Sequence, residues 1–208
     1  AGIPTEPKTI GTRWLSEEEF VRLYRWLECP DTPVHPSYAR AVQIIMLTGQ
    51  RVEEIARLHV DQWDAKERII DWTKTKNLQP HAVPVPSLAA ELIESIIPNE
   101  HGWFFPSAKD PSKPVSHGTL YSFIWRQRDR GVIPHATNRD LRRTFKTLAG
   151  KAGVPKEIRD RLQNHALQDV SSKHYDRWNY MVEKRAGMAK WDKFVRAMLA
   201  KKRLKAAA

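Results

Sequence analysis

Cysteine is nearly absent from this 208-residue chain: Cys29 is the single example, so no internal disulfide and no thiolate metal site can be built from it. That usage fits a reducing, cytoplasmic setting. Long apolar runs are missing too. None approaches the ~20 residues of a membrane span, and the first residues contain no secretory hydrophobic segment. His81, His101, His117, His135 and His174 show no metal-ligand spacing with one another, and no acidic pair suggests a two-metal nuclease. Neither a Walker A loop nor G-x-G-x-x-G occurs, so no nucleotide, metal or other cofactor is expected. Acid is scarce as well, with 24 Asp and Glu against 35 Lys and Arg and a formal charge of +11. A polyanionic partner is the first implication.

The basic residues are clustered. Between Arg126 and Arg161 there are eleven Lys and Arg against four acids. Arg126, Arg128, Arg130, Arg143 and Lys146 are therefore candidate phosphate contacts, the alternative being a merely solvated face. With 41% hydrophobic and 28% charged residues the chain can bury one sizeable core. Ala1 in place of Met, and a start rich in proline, suggest a piece of a longer protein. Residues 1–13 read as a flexible lead-in, 14–203 as one domain and 204–208 as a disordered tail.

Ser16 and Glu19 form a capping box that opens a first helix, stopped at Cys29-Pro30. A second helix from about Ser37 ends at Gly49, a left-handed C-cap. A third carries Val52, Ile55 and Leu58 at helical spacing. The short apolar runs 68–72 and 81–85 read as a β-hairpin around the polar turn that holds Lys74 and Lys76, with Pro84 at an edge or strand end. Ser87 starts a helix expected to run through Ile97, and Ser116 caps another. Helices near 139–152 and 155–163 follow, and a last one begins at about Tyr180. In that helix Met181, Met188 and Val195 repeat every seven residues, as do Trp191 and Met198. Packing on its own core and docking on a neighbouring subunit both fit this repeat. The fold class is mainly α with one small antiparallel β-sheet.

Three stretches carry a resemblance. T-G-Q-R-V-E-E (48–54) resembles the first box of the tyrosine recombinases, or phage integrases. T-N-R-D-L-R-R-T-F (137–145) resembles their second box, H-x-L-R-x-T-F, and L-Q-N-H (162–165) with Tyr175 ten residues on resembles their third, L-G-H and a tyrosine. The continuation Y-D-R-W-N-Y-M-V-E-K-R (175–185) is similar to prophage and genomic-island integrases, and the likeness runs from about Thr12 to Leu199. It implies the tyrosine recombinase catalytic-domain fold and cutting and rejoining of double-stranded DNA at attachment sites. The full-length protein would act as a homo-tetramer, whereas this fragment, without the N-terminal DNA-binding domains, would be monomeric. A topoisomerase-like relaxing activity and a non-catalytic DNA-binding relative are the alternatives.

The resemblance also assigns roles. Tyr175 would attack phosphorus to form a 3′-phosphotyrosyl link, with Tyr180 and Tyr121 as competitors. Arg51 and Arg142 would clamp the non-bridging oxygens, as planar, permanently charged forks can. Glu54 would orient an arginine or cap backbone, and His165 would donate to a non-bridging oxygen. Lys76, with Lys74 as runner-up, would protonate the leaving 5′-oxygen. Two positions depart from the pattern. Arg139 stands where the second box has histidine and cannot act as a base at neutral pH, so the tyrosine proton would pass to water or His165. Asn164 stands where glycine precedes the third-box histidine, at a turn that asparagine tolerates.

Overall fold

The computed structural model describes residues 11–32, 34–73, 80–129, 131, 136–165 and 179–206, with backbone alone at 123–125, 127–129 and 202–206. The Ser16 hydroxyl accepts the Glu19 N–H and the Glu19 carboxylate accepts the Ser16 N–H at 2.8 Å. This capping box opens α1 (Glu17–Glu28), whose Phe20, Leu23, Tyr24 and Leu27 face inward. Helix α2 (Pro36–Thr48) is buried at every residue from Ala41 to Thr48 and packs against α1 and the later helices α4 and α6. A helix apolar all round belongs in the middle of a core. It ends at Gly49 with φ +66°. The next helix, α3 (Val52–Ala56), is a turn and a half and stops short of Leu58, which the spacing had placed inside it. Leu58 is still fully buried, and its carbonyl accepts the Phe104 N–H at 3.1 Å.

The sheet has three strands rather than the expected two. β1 (Trp63–Asp64), β2 (Ile69–Trp72) and β3 (His81–Pro84) lie in that order, antiparallel, with Ile70 opposite Val83 and Trp72 opposite His81. A two-residue strand leaves no alternation to read. Pro84 closes an edge strand, where its missing N–H costs no ladder bond. α4 (Ser87–Glu94) is shorter than expected: the Ser95 hydroxyl folds back onto the Leu92 carbonyl at 2.7 Å, and Ile97 is 93% exposed.

After a loop that buries Phe104 and Phe105 come α5 (His117–Asp129), α6 (Asn138–Lys151) and α7 (Lys156–Leu162). Thr144 fastens the chain entry to α6 by accepting the Leu15 N–H at 2.8 Å. α8 (Met181–Ala206) then crosses α1, α4, α6, α7 and β3. Met188, Trp191, Val195 and Met198 are buried in that contact, so the heptad series packs on the chain's own core. Lys184, which interrupts the series, is buried as well and donates to the Ala82 carbonyl at 3.0 Å. No helix among the described residues is long and apolar enough to cross a membrane.

Candidate active site

At the end of α2 the left-handed turn requires glycine, because a Cβ at Gly49 would lie 2.4 Å from the Phe145 ring. The turn aims the Gly49 carbonyl at α6, where it accepts Arg142 Nη1 at 2.7 Å and Gln163 Nε2 at 3.1 Å. Two residues later Arg51 stands at the N-terminus of α3. Glu54 accepts both the Arg51 backbone N–H at 3.1 Å and its Nη1 at 2.8 Å. One carboxylate thus caps the helix and orients the guanidinium.

Arg142 lies on α6, opened by a capping box between Thr137 and Asp140. Its Nη2 donates to the Gln163 carbonyl at 3.0 Å and stands 3.4 Å from His165 Nε2. Arg51 Nη2 reaches the Asn164 carbonyl at 3.3 Å. Asn164 adopts φ +49°, the left-handed turn expected at that position, and leads the chain out of α7 into His165. Three segments remote in sequence therefore meet at the exit of α7.

Asp160 sits behind the imidazole. Its Oδ1 accepts from Lys146 Nζ and lies 3.2 Å from His165 Nδ1, and its Oδ2 accepts from Lys156 at 3.1 Å. Burial alone would raise this carboxyl, but the bonds from Lys146, Lys156 and His165 outweigh it and bring the pKa down to about 2. His165 is pushed below its ordinary value by burial and by the charges of Arg142 and Lys146, with Asp160 opposing. Burial, and then the neighbouring Arg51, lower Arg142 to about 10, which leaves it charged at neutral pH. The corner presents two fixed guanidinium ions beside a neutral imidazole. Such a set suits a centre on which negative charge builds and spreads over several oxygens.

A second layer ties the sheet to this corner. Gln50 Nε2 donates to the Leu162 carbonyl at 2.8 Å, and its Oε1 faces His81 Nε2 at 3.2 Å. Burial and the charges of Lys184, Arg51 and Arg142 bring His81 down to about 3, so it is neutral. Asp160, Gln163, Gln50 and His81 did not stand out as site residues in the sequence. The available signal was Gln163, a polar residue where the L-G-H box has leucine.

The remaining candidates fall elsewhere. Arg139 is exposed in the first turn of α6 and lines a cleft of about 710 Å³ with Arg13, His117, Tyr121, Asn138 and Arg143. Arg143 is engaged by Asp140 at 2.6 Å and Lys146 by Asp160, while Arg126 is exposed on α5. Tyr180 is covered by the Arg161 guanidinium 3.4 Å above its ring, and Tyr121 is 43% exposed. Lys74, Lys76, Arg130, Tyr175 and the side chain of Arg128 lie outside the described residues.

Comparison with known proteins agrees with this architecture. Prophage integrase IntF of Escherichia coli (strain K12) is 29% identical over 161 residues, 75% of this chain and 34% of that protein. The chain thus spans about a third of that relative's length. The integrase from mycobacterium phage Brujita superposes with a TM-score of 0.69 at 19% identity, over 95% of this chain and 66% of that one. A lambda integrase dimer bound to a COC′ core site gives 0.62 at 17%, over 82% of this chain and 49% of that one. Residues 13–180 match the model of the phage integrase family, which takes in every element from α1 to α7, and the chain belongs to that family.

Proposed function

We propose that this chain is the catalytic domain of a site-specific DNA recombinase that cuts and rejoins strands through a 3′-phosphotyrosyl link, integrating or excising a mobile element. The observation that carries the reading is the convergence of Arg51 and Arg142, each held by backbone carbonyls or by Glu54 at the exit of α7. A phosphodiester under attack spreads charge over its non-bridging oxygens, and cations fixed beforehand lower that barrier without reorganising. Tyr175 is the nucleophile, and the covalent link stores the bond energy, so strands rejoin without a cofactor. Lys76, or Lys74, protonates the leaving 5′-oxygen. Arg139, exposed and without a hydrogen bond or ion pair among the described residues, adds charge toward phosphate. Arg126, Arg128, Arg130, Arg143 and Lys146 extend the basic surface along the duplex, which makes affinity salt-sensitive.

The full-length protein acts on two duplexes as a tetramer, and this chain alone is a monomer. The placement of α8 on its own core supports the second statement, because its apolar face is already covered. A nicked duplex carrying the attachment site tests the reading. Full-length protein is expected to form a denaturation-resistant covalent adduct, lost in Tyr175→Phe and retained in Tyr180→Phe, whose phenyl ring still stacks on Arg161. No adduct from the wild-type protein overturns it.

A further inference from the structure

Gln163 closes the arginine corner from within the core. It caps the end of α7, is 1% exposed, and donates its backbone N–H to the Arg159 carbonyl at 3.2 Å. Its side-chain amide donates twice, to the Gly49 carbonyl at 3.1 Å and to the Arg142 carbonyl at 2.9 Å. Arg142 returns both bonds with its guanidinium. Nη1 donates to the same Gly49 carbonyl at 2.7 Å, and Nη2 donates to the Gln163 carbonyl at 3.0 Å. These four bonds close a ring through the end of α2, the middle of α6 and the exit of α7. Packing alone does not call for an amide here, since leucine or methionine would fill a similar volume. Nor is the amide needed to rescue a stranded acceptor: the Gly49 carbonyl already has Arg142 Nη1, and the Arg142 carbonyl lies inside a helix. What the amide adds is geometry. A guanidinium is a rigid planar fork, and the places of its acceptors set its plane.

We propose that Gln163 is a positioning residue whose amide holds the Gly49 and Gln163 carbonyls in register and so fixes the plane of the Arg142 guanidinium. Buried as it is, Gln163 touches no substrate and acts only through Arg142. The role rests on the recombinase reading, in which Arg142 meets a phosphate oxygen. Without the amide, Arg142 retains its charge and both acceptors, but those acceptors belong to segments that can shift against each other. A misplacement of about 1 Å costs on the order of 100-fold in rate.

Gln163→Met preserves the length of the side chain and removes both N–H groups. Nitrogen-15 NMR of DNA-free protein reads rotation about the Arg142 Cζ–Nη bonds, the signals being identified by their loss in Arg142→Lys. Wild type is expected to give separate, slowly exchanging Nη resonances, which merge in Gln163→Met. Single-turnover cleavage of the nicked duplex by the full-length variant should slow on the order of 10- to 100-fold, with DNA affinity unchanged because every phosphate-binding charge remains. Gln163→Leu repeats the test where the methionine variant does not fold. Merged resonances in wild type, rotation as slow in the variant as in wild type, or an unchanged cleavage rate overturns the positioning role alone. So does failure of both variants to fold, which assigns the amide to the fold. Absence of any adduct from wild type overturns the recombinase reading, while the resonances still report whether Gln163 holds Arg142.

Discussion

At Gly49 one carbonyl serves two side chains, Arg142 at 2.7 Å and Gln163 at 3.1 Å, and the φ of +66° that aims it excludes a side chain. Gly49→Ala would strain the backbone and drive a methyl into the Phe145 ring, 2.4 Å from the built Cβ. A loss on the order of 2–4 kcal/mol in denaturant unfolding is expected, and adduct formation should fall even where the variant is folded, because Arg142 loses its anchor. Much of this corner was legible one residue at a time. The left-handed turns at Gly49 and Asn164 and the pairing of Glu54 with Arg51 follow from local rules of backbone and motif. Asp160 and Gln163 were not legible. Their partners, Lys146 and His165 for one and Gly49 and Arg142 for the other, meet only once α7 packs on α6. A side chain that acts across such a contact leaves no periodicity behind.

Elements show the same division. Capped helices announced themselves, as with Ser16 at α1 and Ser116 at α5, since a cap satisfies backbone donors that the helix itself leaves open. Lengths did not. α3 and α4 stop earlier than their apolar spacing suggests, because Leu58 and Ile96 are buried from turns rather than from helix. The last helix had two readings that spacing could not separate, and Trp191 decides between them. Its indole is fully buried, donates to the Leu47 carbonyl at 2.7 Å and meets Phe20 and Phe145 edge-on at 5.9 and 5.4 Å. Trp191→Ala would empty the joint between α1, α2, α6 and α8 at a cost of about 3–5 kcal/mol. Trp191→Phe preserves most of the packing and loses the one hydrogen bond, about 1 kcal/mol. Urea titrations of the isolated chain should show that order. Equal midpoints for all three proteins would mean that α8 is not docked on its own core.

Across the whole molecule the sheet and the arginine corner are coupled through one buried histidine, and that coupling sets a pH dependence. His81 stacks on Trp72, faces Gln50 at 3.2 Å and feels the charges of Lys184, Arg51 and Arg142. Its pKa is brought down from 6.5 to about 3 in the fold. Between those values the unfolded chain binds a proton that the folded chain refuses, so stability is full above about 6.5 and declines as pH falls toward 3. At about 1.4 kcal/mol per pH unit, His81 alone can remove several kcal/mol. Asp160 acts the same way lower down: its folded pKa near 2 lies below the ordinary 3.8, so its contribution is present above 3.8 and lost as pH falls through 2. Acid also adds positive charge to a chain that already carries +11, and this general repulsion must be separated from the histidine. His81→Gln does so, because an amide can still donate to Gln50 but does not titrate. The wild-type unfolding midpoint should fall more steeply from pH 6.5 to 4 than that of His81→Gln, which keeps only the smaller decline due to His165 and to net charge. Parallel declines would assign the acid lability to net charge and release His81 from the role.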